Sequence, residues 1–219
     1  VISALTSLDL SLNGIGPEGA KALAPALAAN SSMTSCNVLR NDMDVAAAQL
    51  LVKAVKDKDI SLCGITPDQT EAIFYNEQLG PGDAMLLASD LSKAGVSASL
   101  TECNLGSNRL GDEGAEAIAT ALKKSTTSKL QTLVMYENGI RSKGAAGLAA
   151  YMAVSASLTE VRAACTCASL PMRACDRVLA ARRLTSGTTT WVPTARPPSE
   201  RLCAARRASS SSSRGSCAL

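Results

Sequence analysis

Apolar residues along the chain follow two alternating spacings, the first typical of a short strand and the second of a helix. The stretch from Leu5 to Leu10 places apolar side chains at alternate positions toward its end, as in a half-buried β-strand. From Gly16 the spacing changes to three and four residues, which is the spacing of one helix face. The residues on that face are Ala20, Leu23, Ala24 and Leu27. The pattern therefore predicts a strand followed by a helix within one short unit.

This strand–helix unit recurs along the chain. Units start at residues 5, 33, 69, 100, 130 and 158, at intervals of 28, 36, 31, 30 and 28 residues. The units at 100 and 130 match the first closely, the unit at 33 is looser, and the unit at 69 diverges most. The sixth unit loses the pattern after Val161. Because a unit this small cannot bury its own apolar face, stacked copies must share one core, which predicts a solenoid.

An asparagine follows the strand in most units. Its amide both donates and accepts hydrogen bonds, so it can satisfy backbone groups of adjoining turns and form a ladder between repeats. The ladder residues are Asn13, Asn41, Asn108 and Asn138. Glu77 takes this position in the third unit, which we therefore expect to be locally irregular.

The repeat resembles the leucine-rich repeat family, and specifically its long, ribonuclease-inhibitor-like subtype. The resemblance rests on L-x-x-L-x-L-x-x-N-x-[IL] followed by G-x-x-G-A-x-x-[IL], and it covers residues 5–161. It implies an α/β solenoid with a curved parallel sheet on the concave face and helices on the convex face. It also implies protein binding, as in nucleotide-binding innate-immune receptors, ribonuclease inhibitor and the Ran GTPase-activating protein.

Side-chain alternation along each strand indicates which residues could contact a partner. The consensus leucines point inward, so the intervening positions point to the concave face, and we expect Leu39 and Val134 there as well. The predicted partner-binding residues are Asp9, Arg40, Tyr75, Asn104, Tyr136 and Glu137. Tyrosine is favoured at binding hot spots, although a surface tyrosine in a repeat is also ordinary variation.

The 36-residue interval before the third unit contains the stretch Asp59–Gln69. We interpret this stretch as an extended surface loop with Ile60, Leu62 and Ile65 packed beneath it. The alternative is an insertion that binds a partner.

Charge divides the chain into two parts. Residues 1–161 carry 12 Lys and Arg against 17 Asp and Glu, a net charge of −5, and form the expected repeat array. Residues 162–219 carry 10 Arg, no Lys and only two acidic residues, a net charge of +8. Because the change falls within a strand, we expect this Arg-, Ser- and Cys-rich tail to be disordered or to result from a change of reading frame.

The tail offers only weak alternatives. Cys165, Cys167 and Cys175 lack the four ligands and the spacing of a structural zinc site, so we predict no metal. The arginines could contact phosphates, but they lack lysine and aromatic neighbours, so we predict no nucleic-acid partner.

Composition argues against catalysis. The chain has no histidine, which excludes His-based acid–base and nucleophile systems. The Gly14–Gly19 stretch resembles a dinucleotide motif but belongs to the repeated turn, and Asp112 and Glu113 lie at a helix start. We therefore predict a non-enzymatic protein-interaction scaffold that needs no cofactor. The alternative is a regulator of a small GTPase, similar to the Ran activator.

Three further expectations concern the setting of the chain. It begins with Val1 and shows neither a leader nor an apolar run long enough for a membrane span, so we expect a fragment with no membrane partner. Cys36, Cys63 and Cys103 lie at apolar positions and are expected to be buried thiols, which fits an intracellular compartment. Uncapped solenoid ends would favour self-association.

Overall fold

Each repeat unit forms a three-residue strand, a turn and a helix, in the order that the apolar spacing predicts. The computed structural model describes residues 5–163, and the predictions for the remainder of the tail, including Cys165, Cys167 and Cys175, lie outside these residues. The strands are β1 (Ser7–Asp9), β2 (Ser35–Asn37), β3 (Glu71–Ile73), β4 (Glu102–Asn104), β5 (Thr132–Val134) and β6 (Glu160–Arg162). The helices are α1 (Gly16–Ala29), α2 (Val45–Ala54), α3 (Pro81–Leu91), α4 (Ala94–Ser99), α5 (Gly111–Lys124) and α6 (Ser142–Val154).

The strands pair in parallel and form the concave face, with the helices packed in sequence behind them. β1 pairs with β2, and β3, β4, β5 and β6 form a second sheet in that order. The central residue of each strand stands in register with the next, as Ala72 does with Cys103. The fold is therefore the predicted α/β leucine-rich-repeat solenoid, with one break in its sheet.

The core lies between the strands and the helices, where it is filled by aliphatic side chains. Leu51, Leu87 and Ile118 from three different helices are fully buried. Cys36, Cys63 and Cys103 are buried free thiols, as the sequence predicts.

Small residues allow neighbouring units to pack closely. A Cβ atom on Gly82 would lie 2.1 Å from the carbonyl oxygen of Met43, a distance that no real Cβ tolerates. A Cβ atom on Gly114 would lie 2.8 Å from the Cβ of Ala84. The glycine at the start of these helices therefore sets how closely successive units approach.

Asparagine side chains join successive turns. The Oδ1 atom of Asn108 accepts hydrogen bonds from the N–H groups of Glu77 and Leu79, each at 3.0 Å. Its Nδ2 atom donates to the carbonyl oxygens of Phe74 and Leu105, at 2.7 and 3.0 Å. Asn41 and Asn138 reach the preceding unit in the same way, through the carbonyl oxygens of Leu10 and Leu105 respectively.

The stretch Asp59–Gln69, here called the linking segment, is more than the surface loop that we expected. Ile60, Leu62 and Ile65 are buried, as predicted. The N–H groups of β2 donate to this segment, from Cys36 to the Ser61 carbonyl at 2.7 Å and from Val38 to the Leu62 carbonyl at 3.0 Å. The linking segment thus takes the hydrogen bonds that β2 would otherwise make with β3.

A buried carboxylate fixes the linking segment to α3. Asp90 is fully buried, and its carboxylate accepts hydrogen bonds from the N–H groups of Leu62 and Cys63, each at 2.9 Å. The Ser61 hydroxyl donates to the same carboxylate at 2.8 Å, and Lys93 Nζ forms an ion pair with it at 2.6 Å. Lys93 Nζ also donates to the Ile60 carbonyl oxygen. Asp90 therefore accepts hydrogen bonds from N–H groups of the linking segment that do not pair with a strand.

The third unit is irregular, as Glu77 at the ladder position predicts. Asp83 of α3 bridges to the second unit, since its Oδ1 atom accepts from the Arg40 N–H at 2.8 Å and its Oδ2 atom from the Gly80 N–H at 2.9 Å. Burial raises the pKa of the Asp83 carboxyl. A carboxylate of α3 thus joins units two and three where the asparagine is missing.

Candidate functional site: the concave face

The concave face is open at most of the positions that alternation predicts. Asp9, Ile73 and Tyr75 are exposed, and Asn104 and Tyr136 are half-buried. Leu39 and Val134 are each only 3% exposed, so the expectation for these two residues is wrong. Alternation ends with β2 at Asn37, before Leu39, and Val134 lies between Asn104 and Arg162 in the register of the sheet.

Tyr75 and Tyr136 meet across one strand. Their ring centroids are 6.3 Å apart and the rings are tilted by 50°. A Cβ atom on Gly106, in the intervening unit, would lie 3.0 Å from Cζ of Tyr136. The absence of a side chain at Gly106 therefore leaves room for the Tyr136 ring, and the two rings form one aromatic surface.

Charged residues flank this aromatic pair. Arg40 lies on one side, where its guanidinium is 3.7 Å from the Glu77 carboxylate. Glu137 follows Tyr136 directly, and its Oε2 atom accepts a hydrogen bond from the Ser107 hydroxyl at 2.8 Å. We call Arg40, Tyr75, Tyr136 and Glu137 the tyrosine patch.

Two of the predicted partner-binding residues have local hydrogen-bond roles as well. Asp9 lies in the separate β1–β2 sheet, and its Oδ1 atom accepts from the N–H and the hydroxyl of Ser11 at 2.9 and 2.7 Å. These hydrogen bonds lower the pKa of Asp9. The Asn104 Oδ1 atom accepts from the Gly106 N–H at 3.1 Å, which orients the turn beneath the aromatic pair.

The strands present more carboxylates than cations. Within the six strands, the acidic residues are Asp9, Glu71, Glu102 and Glu160, and the one basic residue is Arg162. Arg162 is already paired with Glu160 at 2.6 Å. The strand surface is therefore acidic, in agreement with the net charge of −5 for residues 1–161.

Burial raises the pKa of one tyrosine hydroxyl and two cysteine thiols near this face. It raises the pKa of Tyr136, and the neighbouring Tyr75 adds to the effect. Burial also raises the pKa of Cys36 to about 11 and that of Cys103 to about 12. All three groups are neutral at physiological pH, so none of them supplies an anionic nucleophile there.

Acidic residues elsewhere have structural roles. Asp112 of α5 accepts hydrogen bonds through Oδ1 from the N–H groups of Arg141 and Gly144, at 2.7 and 2.8 Å. It therefore caps the start of the neighbouring helix α6. Within residues 5–163, no group of three or more acidic or cysteine side chains is placed to hold a metal ion. No helix in the same range is long and apolar enough to cross a bilayer.

Comparison with known families agrees with this geometry. A family model described as Leucine Rich repeat matches residues 3–24 and 96–119, which include β1 and β4 and the first part of the helices α1 and α5. A search of curated proteins found no match. Together with the parallel strands and the helices behind them, the match supports a leucine-rich repeat protein.

Sequence reasoning missed two groups of this region. Ile73 lies outside the predicted partner-binding residues, although it is 58% exposed. Asp90 gave a signal that could have been recognised, because a carboxylate stands among the inward positions of α3 between Leu87 and Leu91. Such a residue is buried only when it has partners, which indicates hydrogen-bonding to unpaired backbone.

Proposed function

We propose that this protein is a non-enzymatic protein-binding module that contacts its partner through the concave face, with the tyrosine patch at the centre of the contact. The observation that carries the proposal is the Tyr75–Tyr136 pair, in which two of the five aromatic residues of the chain meet on one exposed surface. Such rings bury a large area at a small cost in conformational entropy. Leucine-rich repeat proteins typically act as interaction scaffolds.

Charge and hydrogen bonding support this site. Arg40 and Glu137 place opposite charges on the two sides of the rings, which could fix the orientation of a partner. Asn104, beneath the rings, and Asp9, at the far end of the face, would add polar contacts at the rim. The acidic balance of the strands favours a partner with a basic contact surface.

Alanine substitution tests the patch. The full chain and its Tyr75→Ala/Tyr136→Ala variant are immobilised, and proteins captured from an extract are compared by quantitative mass spectrometry. A partner found in this way is then titrated by calorimetry. We expect the double substitution to weaken binding by about 2 kcal/mol or more, as hot-spot truncation does.

A matched variant controls for loss of apolar surface. Leu50 of α2 is 38% exposed and lies on the helical side of the molecule, so Leu50→Ala should leave the affinity unchanged. Equal affinity of the double variant and the original chain for the partner would refute the tyrosine patch.

We also assign the array to the ribonuclease-inhibitor-like subtype. Full helices of 13 or 14 residues in three of the units, and unit intervals of 28 to 31 residues apart from the linking segment, support this assignment. No arrangement within residues 5–163 favours the GTPase regulator. Stimulated GTP hydrolysis by a candidate GTPase would be the observation that revives it.

A further inference from the structure

The edge of β3 that faces β2 carries backbone groups without a strand partner. In β4, the concave-facing residue Glu102 directs its N–H toward the preceding strand, where it donates to the Thr70 carbonyl at 3.1 Å. Glu71 and Ile73 take the equivalent positions in β3. Within residues 5–163, β3 pairs with β4 alone, so the backbone groups of Glu71 and Ile73 point into the space between β3 and the linking segment that borders β2. We call this the strand gap.

Few other groups satisfy this edge. The Glu71 carbonyl accepts a hydrogen bond from Gln69 Nε2 at 2.6 Å. The Ile73 N–H and carbonyl make no hydrogen bond within the described part of the chain. An unpaired edge of this kind is a template for a further strand.

The concave side of β3, beside the strand gap, is open to solvent. Ile73 and Tyr75 are 58% and 50% exposed. The residues at the same register in the next two strands are better covered, since Asn104 of β4 is half-buried and Val134 of β5 is 3% exposed. β3 therefore has the exposure of a terminal strand, although it lies in the middle of the array.

The linking segment keeps the strand gap from closing. Ser61 and Leu62 occupy the hydrogen-bonding edge of β2, and Asp90 binds the N–H groups of Leu62 and Cys63 from the interior. β2 therefore has no free donors with which to pair with β3.

The negative charge beside the strand gap favours a positively charged side chain of a partner. Glu71 and Glu102 are directly opposite each other in adjacent strands, and neither forms an ion pair within residues 5–163. Like charges in that position repel. The nearby Arg40 is already directed to Glu77.

We propose that the strand gap binds an extended, basic segment of a partner protein, which adds a strand to β3. Its backbone would pair with Glu71 and Ile73, an apolar side chain would pack on Ile73, and a lysine or arginine would lie over Glu71 and Glu102. Strand addition is a general mode of peptide recognition. The proposal rests on the concave face being the protein-binding surface, and it names the kind of segment bound.

The binding test uses a displayed library of linear peptides of about ten residues, selected on the full chain. We expect the enriched peptides to alternate apolar and polar residues and to carry lysine or arginine. Ile73→Pro removes the donor that points into the strand gap, so the affinity of these peptides should fall about tenfold or more. Ile73→Thr keeps the N–H group and should lose less. Raised salt should weaken binding.

A matched proline tests the edge itself. Asn104 stands opposite Ile73, and its N–H points to the paired side of the sheet. Asn104→Pro should therefore lower the thermal unfolding midpoint far more than Ile73→Pro does. Equal losses would mean that the edge of β3 is not free.

Amide hydrogen exchange in the unmodified chain tests whether the edge of β3 is free, even if Ile73→Pro does not fold. In the free chain the amides of Glu71 and Ile73 should exchange faster than that of Ala72, and a selected peptide should slow them. Slow exchange in the free chain would overturn the proposal, since it would mean that residues 164–219 or a second copy already cover the edge.

The outcomes separate this proposal from the proposed function. Peptides that bind Ile73→Pro as tightly as the original chain, but lose affinity for Tyr75→Ala/Tyr136→Ala, would overturn strand addition and leave the concave site standing. Binding unaffected by either variant would overturn both.

Discussion

The turns after the strands require a left-handed backbone at residues that are not always glycine. The fourth residue after each strand centre from β1 to β5 has a positive φ, and all five are non-glycine. Two residues further on, Gly14 and Gly139 adopt positive φ at no steric cost, whereas Asp42 and Gln78 adopt it with a side chain. Backbone strain is thus concentrated in units two and three.

Gln78→Gly should therefore stabilise the fold. Gln78 has a φ of 59°, and its side chain is exposed, so glycine would relieve strain without loss of packing. We expect the free energy of unfolding to rise by about 0.5–1 kcal/mol, measured by urea denaturation. Arg109 holds the equivalent position in unit four without a positive φ, so Arg109→Gly should destabilise. A loss of stability in Gln78→Gly would contradict this account.

The buried thiols make the stability of the fold depend on pH. In the folded chain burial raises the pKa of Cys36 to about 11 and that of Cys103 to about 12, from an ordinary value of 9.0. Below pH 9 both forms of the chain hold these protons. Above pH 9 the unfolded chain releases these protons before the folded chain does. The free energy of unfolding therefore declines as the pH rises from 9 through the pKa values of the folded chain.

The free energy of unfolding should thus fall between pH 9 and about pH 12. Each thiol would contribute at most about 1.4 kcal/mol per pH unit. Chemical denaturation across this range measures the slope. Cys103→Ala should make the slope shallower even if it lowers stability at pH 7, and an unchanged slope would count against a buried thiol at this position.

At the scale of elements, periodicity predicted the regular units and failed where their regularity ends. Leu8 and Leu10 indicate β1 directly, and the spacing after Gly16 gives α1. The sequence could not show that the linking segment pairs with β2, because that pairing depends on Asp90, almost 30 residues away. Local patterns carry no information on such distant partners.

The candidate site was predictable to the same extent. Alternation placed Tyr75 and Tyr136 on one face, but their contact depends on the missing side chain at Gly106, which only the packed units reveal. Leu39 was misplaced because the strand ends before it. The exposure of Ile73 follows from a break in the sheet that its own sequence does not signal.

At the scale of the whole molecule, side chains replace the backbone ladder between units two and three. Asp83 reaches the Arg40 N–H, and Asp90 holds the linking segment. The helices α2 and α3 still pack against each other there. In an array where each unit contacts only its neighbours, the interface between two units sets how cooperatively they unfold.

Asp90→Asn should separate the unfolding of the two sheets. The substitution removes the charge that pairs with Lys93 and weakens the acceptor of two backbone N–H groups, at a cost of about 3 kcal/mol or more. Because the loss falls on the interface, the amides of β2 should exchange sooner than those of β5. Native-state hydrogen exchange measures this difference.

An exposed carboxylate provides the control. Asp68 lies in the same linking segment and is exposed, so Asp68→Asn should leave both sheets equally protected. A uniform loss of protection in Asp90→Asn would show that the array unfolds as one unit despite the break.

The junction between units two and three also makes the order of the repeats matter. Between units four and five, by comparison, the strands pair directly and an asparagine that most units share joins the turns, while Asp112 also holds the start of α6. Between units two and three, recognition depends on Asp83 and Asp90 and on the linking segment that Asp90 binds. Unit three can therefore follow only a unit that supplies that segment, so shuffling or duplication of repeats would preserve the fold only if units two and three moved together.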